Sequence, residues 1–405
     1  MLRILYAAGP GDVIGTYRHW RAGADDPSQV SMTYSGQFFD VCREIGAEGY
    51  IVASHPQAAE ERGPGMTAVH LTKRRGLAGW RYHVEEIRYG LRLLGAARRF
   101  GADLAIVAEG STHWFVLRLF PLFGIALAPT IHCVLWPKFK TPRAPQRLLN
   151  AMAGRLFRRR CLAVMSASED ITQQVRELAG ANAPEVVPFL PTYRRATFAD
   201  IGAPPFATSP FRVLFAGRIE RNKGVFDLLS IARRFEAEGR REIEFDLCGA
   251  GSALEELREA VAAAGLGARF RLHGHCSRER MQEMMRDAHT VIVPTTTDFV
   301  EGFNQVVVES VLAGRPVVTS SVCPALTTVR DAVVETPPDD VAGYGDALLR
   351  LQSDREFYER KRRACFAYQP QFYDPAQGWG AALKHVVERL QARREIVREA
   401  RPVSA

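Results

Sequence analysis

The sequence predicts an α/β protein made of two doubly wound domains, and three observations lead there. Short β-branched runs alternate with helical stretches along most of the chain. A proline- and alanine-rich piece, Pro191–Pro210, interrupts the series, and the same alternation restarts after it. A chain of 405 residues is also too long for one ordinary domain. Its composition, 47% hydrophobic and 24% charged, is that of a folded soluble protein.

In the first half, Leu2–Ala7 is predicted as a strand running into Gly9-Pro10-Gly11. A polar loop of about 25 residues follows, a length that tends to be functional or mobile in a compact domain. Gly36–Ile45 has a helical pattern, and Gly49–Ala53 reads as the second strand. Within Lys73–Phe100, Trp80, Val84, Ile87, Leu91 and Leu94 recur at helical spacing between arginines. The expectation is a helix with that apolar face on a sheet and its arginines in water; a helix lying on a membrane surface is the alternative. Ala105–Ala108 and Pro129–Leu135 read as strands, and Arg143–Arg160 as a second basic amphipathic helix. Leu162–Met165 is a strand that leads to a helix capped by Ser168, with a short strand at Val186–Pro188.

The second half reads as strand Phe211–Ala216, a loop at Gly217–Gly224 and a helix from Val225. Strand Ile243–Cys248 enters Gly249-Ala250-Gly251 and a helix from Ser252 to Ala264; strand Phe270–His273 precedes a helix from Arg278. His289–Pro294 is a buried strand, followed by a polar loop, a helix opening near Asn304 and ending at Gly314, and the strand Val317–Thr319.

Several function classes lose their support. Neither half opens with G-x-G-x-x-G and no Walker A occurs, which argues against nicotinamide chemistry and P-loop hydrolysis. Seven scattered cysteines without C-x-x-C suit reduced thiols in the cytoplasm. Met1–Ala8 reads as a strand rather than a secretory leader. In the apolar region Trp114–Pro137 the uncharged stretch Leu119–Ile131 has 13 residues, where a bilayer span needs roughly 20, so a buried helix and a strand are expected. Residues 1–200 hold 25 Lys+Arg against 17 Asp+Glu, the whole of the net +8. A basic first half implies an anionic partner there, and the lack of aromatic-basic interleaving argues against nucleic acid.

The chemistry concentrates in the second half, at the strand ends where doubly wound sheets bind ligands. Gly217–Gly224 brackets Arg218 and Lys223 just before a helix N-terminus; a guanidinium and an ammonium converging there suit a diphosphate. Gly249 and Gly251 allow close backbone approach to a ligand. The segment His273–Ser277 has the mixed polarity that reads a base edge. In EGFNQVVVES, Glu301 precedes a helix whose amides at Gly302, Phe303 and Asn304 are expected to be free for phosphate or hydroxyl oxygens. Glu309 follows eight residues later, and two carboxylates at this spacing can accept from sugar and ribose hydroxyls.

The motifs GRIERNKG, LCGAGSALEEL, FRLHGHCSRERMQEMMRDAHTVIVPT and EGFNQVVVESVLAGRPVVTS, in this order, resemble the C-terminal domain of retaining glycosyltransferases of family four. The match covers residues 211–335; MSASEDITQQV and PTIHCVLW resemble the family's first domain more weakly. The resemblance implies the GT-B fold: two facing Rossmann-like domains with a crevice between them and a last helix, containing Trp379, that crosses back to the first. The corresponding boundaries are 1–195 for an acceptor-side domain, joined by a helix at about 376–398, and 205–375 for a donor-binding domain. It further implies transfer of a hexose from a nucleotide diphosphate sugar, such as a UDP- or GDP-hexose, to a sugar or lipid-linked acceptor with anomeric retention.

By position, Arg218 and Lys223 would neutralise the diphosphate and Glu309 would bind ribose. Glu301 with the following amides would hold the transferred sugar, and His132 would face it from the first domain, with His113 a weaker candidate. No D-x-D motif occurs, so no essential metal is expected. Cell-surface polysaccharide or glycolipid synthesis in the cytoplasm is the implied setting, with the basic half against the inner face of the membrane. The rival readings are a non-catalytic nucleotide-sugar-binding protein and a GT-B epimerase or hydrolase. Two departures stand out: Asn304 occupies a position where many relatives carry Gly or Ser, and Pro188-Phe189-Leu190-Pro191 replaces an Asn-Gly turn.

Overall fold

A computed structural model describes residues 1–142 and 144–399. Arg143, the first residue of the second basic helix expected from the sequence, lies outside the described residues. The chain divides into two compact units: residues 1–133, 142–193 and 374 onward form one, and residues 134–141 and 194–373 the other.

The first unit carries β1 (Arg3–Pro10), α1 (Val13–Arg21), α2 (Tyr34–Glu44), β2 (Glu48–His55), β3 (Ala59–Gly63), β4 (Met66–Thr72), α3 (Gly79–Phe100), β5 (Leu104–Ala108), β6 (Ala126–Ile131), α4 (Ala144–Arg160), β7 (Val164–Ser166), α5 (Glu169–Ala179) and β8 (Val186–Pro188). Its sheet runs β3-β4-β2-β1-β5-β6-β7-β8, parallel except for the antiparallel β3–β4 edge. The central strands are apolar along their length, as strands covered on both faces must be: all five residues of β5 are buried.

The second unit carries β9 (Phe211–Ala216), α6 (Val225–Ala237), β10 (Ile243–Cys248), α7 (Leu254–Ala263), β11 (Phe270–Gly274), α8 (Arg278–Asp287), β12 (Thr290–Val293), α9 (Gln305–Leu312), β13 (Val317–Ser320), β14 (Val333–Thr336), α10 (Val341–Ser353) and α11 (Arg355–Tyr373). Its sheet is wholly parallel in the order β11-β10-β9-β12-β13-β14. Val213 and Phe215 of β9 pack with Val225, Leu228 and Ile231 of α6 in its main core.

The last helix, α12 (Trp379–Glu399), belongs to the first unit, as the resemblance implied. Trp379 is fully buried there, donates its indole N–H to Thr130 Oγ1 at 3.0 Å and lies 4.9 Å from the Tyr6 ring. Residues 134–141 leave the first unit for the second, where Val134 N–H donates to the Glu301 carbonyl at 3.3 Å and Lys140 pairs with Asp298. The strand expected through Leu135 therefore stops at Ile131.

Three other elements depart from expectation. The long polar loop contains α1, capped by Asp12, which accepts from Gly15 N at 2.8 Å. The hairpin β3–β4 adds an edge beyond the second strand. The face that α3 buries also matches its apolar spacing only in part. Of the expected stripe, Trp80, Val84 and Leu91 are exposed at 71%, 52% and 47%, Ile87 is half-buried and Leu94 is buried, and the buried face is completed by Glu85, Glu86, Tyr89, Gly90, Leu93 and Ala97. The cause is close packing at Gly90, where a Cβ would sit 2.4 Å from Thr112 Oγ1 and 2.8 Å from Val116. Lys73 also reaches Glu86 at 2.6 Å, so the inward carboxylate is paired.

Candidate active site

In the second sheet, strand order reverses between β9 and β12, so the loops leaving these two central strands flank the topological switch point where open α/β sheets hold ligands. This placement brings Lys223 and Glu301 together, 78 residues apart in sequence. The Lys223 ammonium donates to Glu301 Oε2 at 2.6 Å, with the side chains 12% and 7% exposed. The same oxygen accepts from Thr295 Oγ1 at 2.8 Å and from Asn304 Nδ2 at 3.3 Å, while Gly302 N–H donates to Oε1 at 3.2 Å. The expectation of a free amide thus fails at Gly302, because the carboxylate one residue earlier folds back onto it.

Local backbone explains the approach. Gly224 has φ +73°, and a Cβ there would lie 2.1 Å from the Pro294 carbonyl oxygen. Only glycine lets the Lys223 loop close against the end of β12. Gly249 and Gly251 act similarly toward their neighbours: a Cβ would sit 1.8 Å from Gly217 O and 2.3 Å from Ile219 O, respectively. Their small size packs the loop after β10 on the loop after β9, with Ile219 N–H donating to Ala250 O at 3.0 Å.

Arg218 is exposed and bonds Glu220 Oε1 at 3.0 Å. Its guanidinium carbon lies 5.4 Å from the centre of the Phe299 ring, and Lys223 Nζ lies 3.9 Å from it. Both cations therefore share one aromatic wall. Sequence reasoning missed Phe299, and only its position shortly before Glu301 hinted at a role. Beyond the wall, Asn304 takes a left-handed conformation (φ +60°) at the start of α9, with its side chain turned to Glu301. Phe303 is buried behind the loop. Glu309 lies half-buried on α9 and has no side-chain hydrogen-bond partner among the described residues. Burial pushes its carboxyl up to about 7.

In the first unit, His132 follows β6. Its backbone N–H donates to Glu109 Oε2 at 2.7 Å, and its Nε2 lies 3.3 Å from Thr130 Oγ1. Its Nδ1 is buried without a partner among the described residues. The ring lies 4.6 Å from Tyr34 and 5.3 Å from Phe189. Burial lowers its pKa, against a smaller opposing pull from Glu109, so the imidazole is neutral near pH 7. His113 instead pairs with His83 at 2.9 Å, and its pKa falls to about 4 through burial and then the neighbouring His83.

Residues 198–366 match the family model of glycosyl transferases group 1. The matched segment spans the larger part of the second unit and less than half of the chain. The chain is similar to the 2-deoxystreptamine N-acetyl-D-glucosaminyltransferase of Niallia circulans, 28% identical over 152 residues. That match spans 37% of this chain and 38% of the relative. In fold the likeness covers nearly the whole chain. Sucrose-phosphate synthase from Thermosynechococcus elongatus superposes with a TM-score of 0.71 at 17% identity, over 99% of this chain and 100% of that one. The Anabaena protein HepE, solved with UDP and glucose, gives 0.63 at 15% identity, over 98% and 99%. The chain has the GT-B fold, with two Rossmann-like sheets.

Proposed function

We propose that this protein transfers a hexose from a nucleotide diphosphate sugar to an acceptor hydroxyl with retention of anomeric configuration. The observation that carries the reading is the cluster at the switch point: Arg218 and Lys223 on the Phe299 wall, with Glu301 and the start of α9 beside them. Cations there serve the diphosphate, and carboxylates serve hydroxyls. The UDP and glucose bound by the HepE structure support the same assignment.

In the proposed reaction the bond from the anomeric carbon to the diphosphate oxygen breaks while the acceptor oxygen bonds to the same face. The acceptor proton passes to the departing phosphate oxygen. Arg218 and the remaining N–H bonds of Lys223 stabilise the charge that develops on the diphosphate, an effect worth several kcal/mol, and no metal is required for that role. Glu301, fixed by Lys223, Thr295 and Gly302, positions the sugar, and Glu309 accepts from ribose. His132 serves as a neutral catalytic group, and the acceptor is a sugar or a lipid-linked glycan.

A thermal-shift panel of nucleotide sugars tests the donor site: the correct donor at 100 times its dissociation constant stabilises by about 2.7 kcal/mol. Proton NMR of the product then reads the anomeric configuration. An inverted product, or turnover only to free sugar, would sink the proposal.

Asn304 should tune which sugar fits. Asn304→Gly relieves the left-handed backbone but loses the bond to Glu301, so stability should change by no more than about 1 kcal/mol. Nucleoside diphosphate affinity should hold while the preference among hexoses shifts, which competition assays with several donors would reveal.

A further inference from the structure

The solvent face of α3 combines features that are costly to leave in water. Trp80, Val84 and Leu91 form an exposed apolar stripe about 16 Å long at 1.5 Å per residue. Arg81 and Arg88 flank it, and the exposed Arg74 and Arg75 precede it. None of these four guanidinium groups has a carboxylate partner among the described residues. The only two acids of the helix, Glu85 and Glu86, are turned inward, where Glu86 meets Lys73 at 2.6 Å and Glu85 accepts from Arg74 N–H at 3.2 Å. The outward face is therefore apolar and purely cationic.

We propose that this face of α3 docks on a bilayer carrying anionic phospholipid headgroups. The charge complementarity is one-sided: four unpaired arginines would meet phosphate, and a tryptophan with two aliphatic side chains would enter the headgroup boundary. Trp is well placed in such a layer because its ring is apolar and its N–H polar. The helix lies along the surface rather than through it. Among the described residues no helix is long and apolar enough to cross a membrane. The surface belongs to the first unit alone and does not depend on the donor-site assignment.

Co-sedimentation of the full chain with phosphatidylcholine vesicles, with and without phosphatidylglycerol, tests the proposal. Binding is expected only with the anionic lipid and should fall as salt rises. Arg81→Glu with Arg88→Glu should weaken it by more than about tenfold, since each arginine near such a surface contributes about fivefold. Trp80→Ala with Leu91→Ala should also weaken it, without altering thermal stability or the thermal shift given by a nucleotide sugar. Those two readouts separate loss of docking from misfolding and from failure of the glycosyltransfer reading. Equal binding to both vesicles, no binding to either, or variants that bind like the parent would overturn the proposal. So would self-association in sedimentation velocity that Trp80→Ala abolishes, which would assign the face to a second copy.

Discussion

Lys223→Ala is expected to lower stability by about 3–5 kcal/mol, because it strands Glu301 as an unpaired buried carboxylate. Neither Thr295, Asn304 nor Gly302, the other donors to that carboxylate, carries a charge. The substitution therefore does more than remove a phosphate contact, and a loss of donor binding in this variant alone would be ambiguous. The double variant Lys223→Ala with Glu301→Gln resolves it. A neutral amide can keep its oxygen toward Gly302 N–H and donate its NH2 to Thr295 Oγ1, so much of the stability should return. Affinity for the nucleoside diphosphate should stay reduced by more than about tenfold, because a charge-assisted contact is missing in both variants. Urea unfolding and calorimetry of the three proteins provide the check. If Lys223→Ala unfolds at the parent's midpoint, the pair is not coupled as described. If the double variant binds like the parent, Lys223 is not part of the diphosphate site.

That pair also shows how far the sequence can be read. The two β-α series, the Gly217–Gly224 loop and the glutamates of EGFNQVVVES are legible because local periodicity and turn chemistry specify them. Pairing of Lys223 with Glu301 is not, since it depends on β9 and β12 being neighbours across a strand-order reversal. The glycines at 249 and 251 are legible as sites of close approach, but the approaching group proves to be the carbonyls of Gly217 and Ile219. For α3 the pattern is right at Leu94 and wrong over most of the rest of the helix. Hydrophobic spacing selects the Trp80–Leu94 stripe as the core face, whereas Gly90 and the Lys73–Glu86 pair turn Trp80, Val84 and Leu91 outward. Small residues carry little weight in a hydrophobic period, and a paired buried acid counts against it, so this face is hidden from the sequence. The helix α1 is hidden for a related reason: its nine residues include arginines, histidine and threonine among the apolar positions.

Glu309→Gln is expected to stabilise the ligand-free protein at pH 8 by about 2–3 kcal/mol and to remove the pH dependence of donor binding. The carboxyl is held at about 7 in the folded protein, against an ordinary value of 4.5, because burial disfavours its charged form. Between these values the unfolded chain has released a proton that the native state keeps. Stability therefore falls as pH rises from about 4.5 to about 7, by about 3 kcal/mol in all. Glutamine, uncharged throughout, does not incur this loss. Chemical unfolding at pH 5 and pH 8 should show little difference between the two proteins at the lower pH and a clear one at the higher. Ribose hydroxyls would donate to the ionised carboxyl, so binding below pH 7 expels a proton, and affinity rises by up to about tenfold per pH unit before levelling off. A nucleotide sugar is the suitable probe, since its diphosphate diester has no group titrating in this range. Calorimetry in two buffers of different ionisation enthalpy counts the proton directly. A parent protein that binds with no proton release at pH 6, or a variant that keeps the parent's slope, would remove Glu309 from the ribose site and leave it a buried acid of the α9 core.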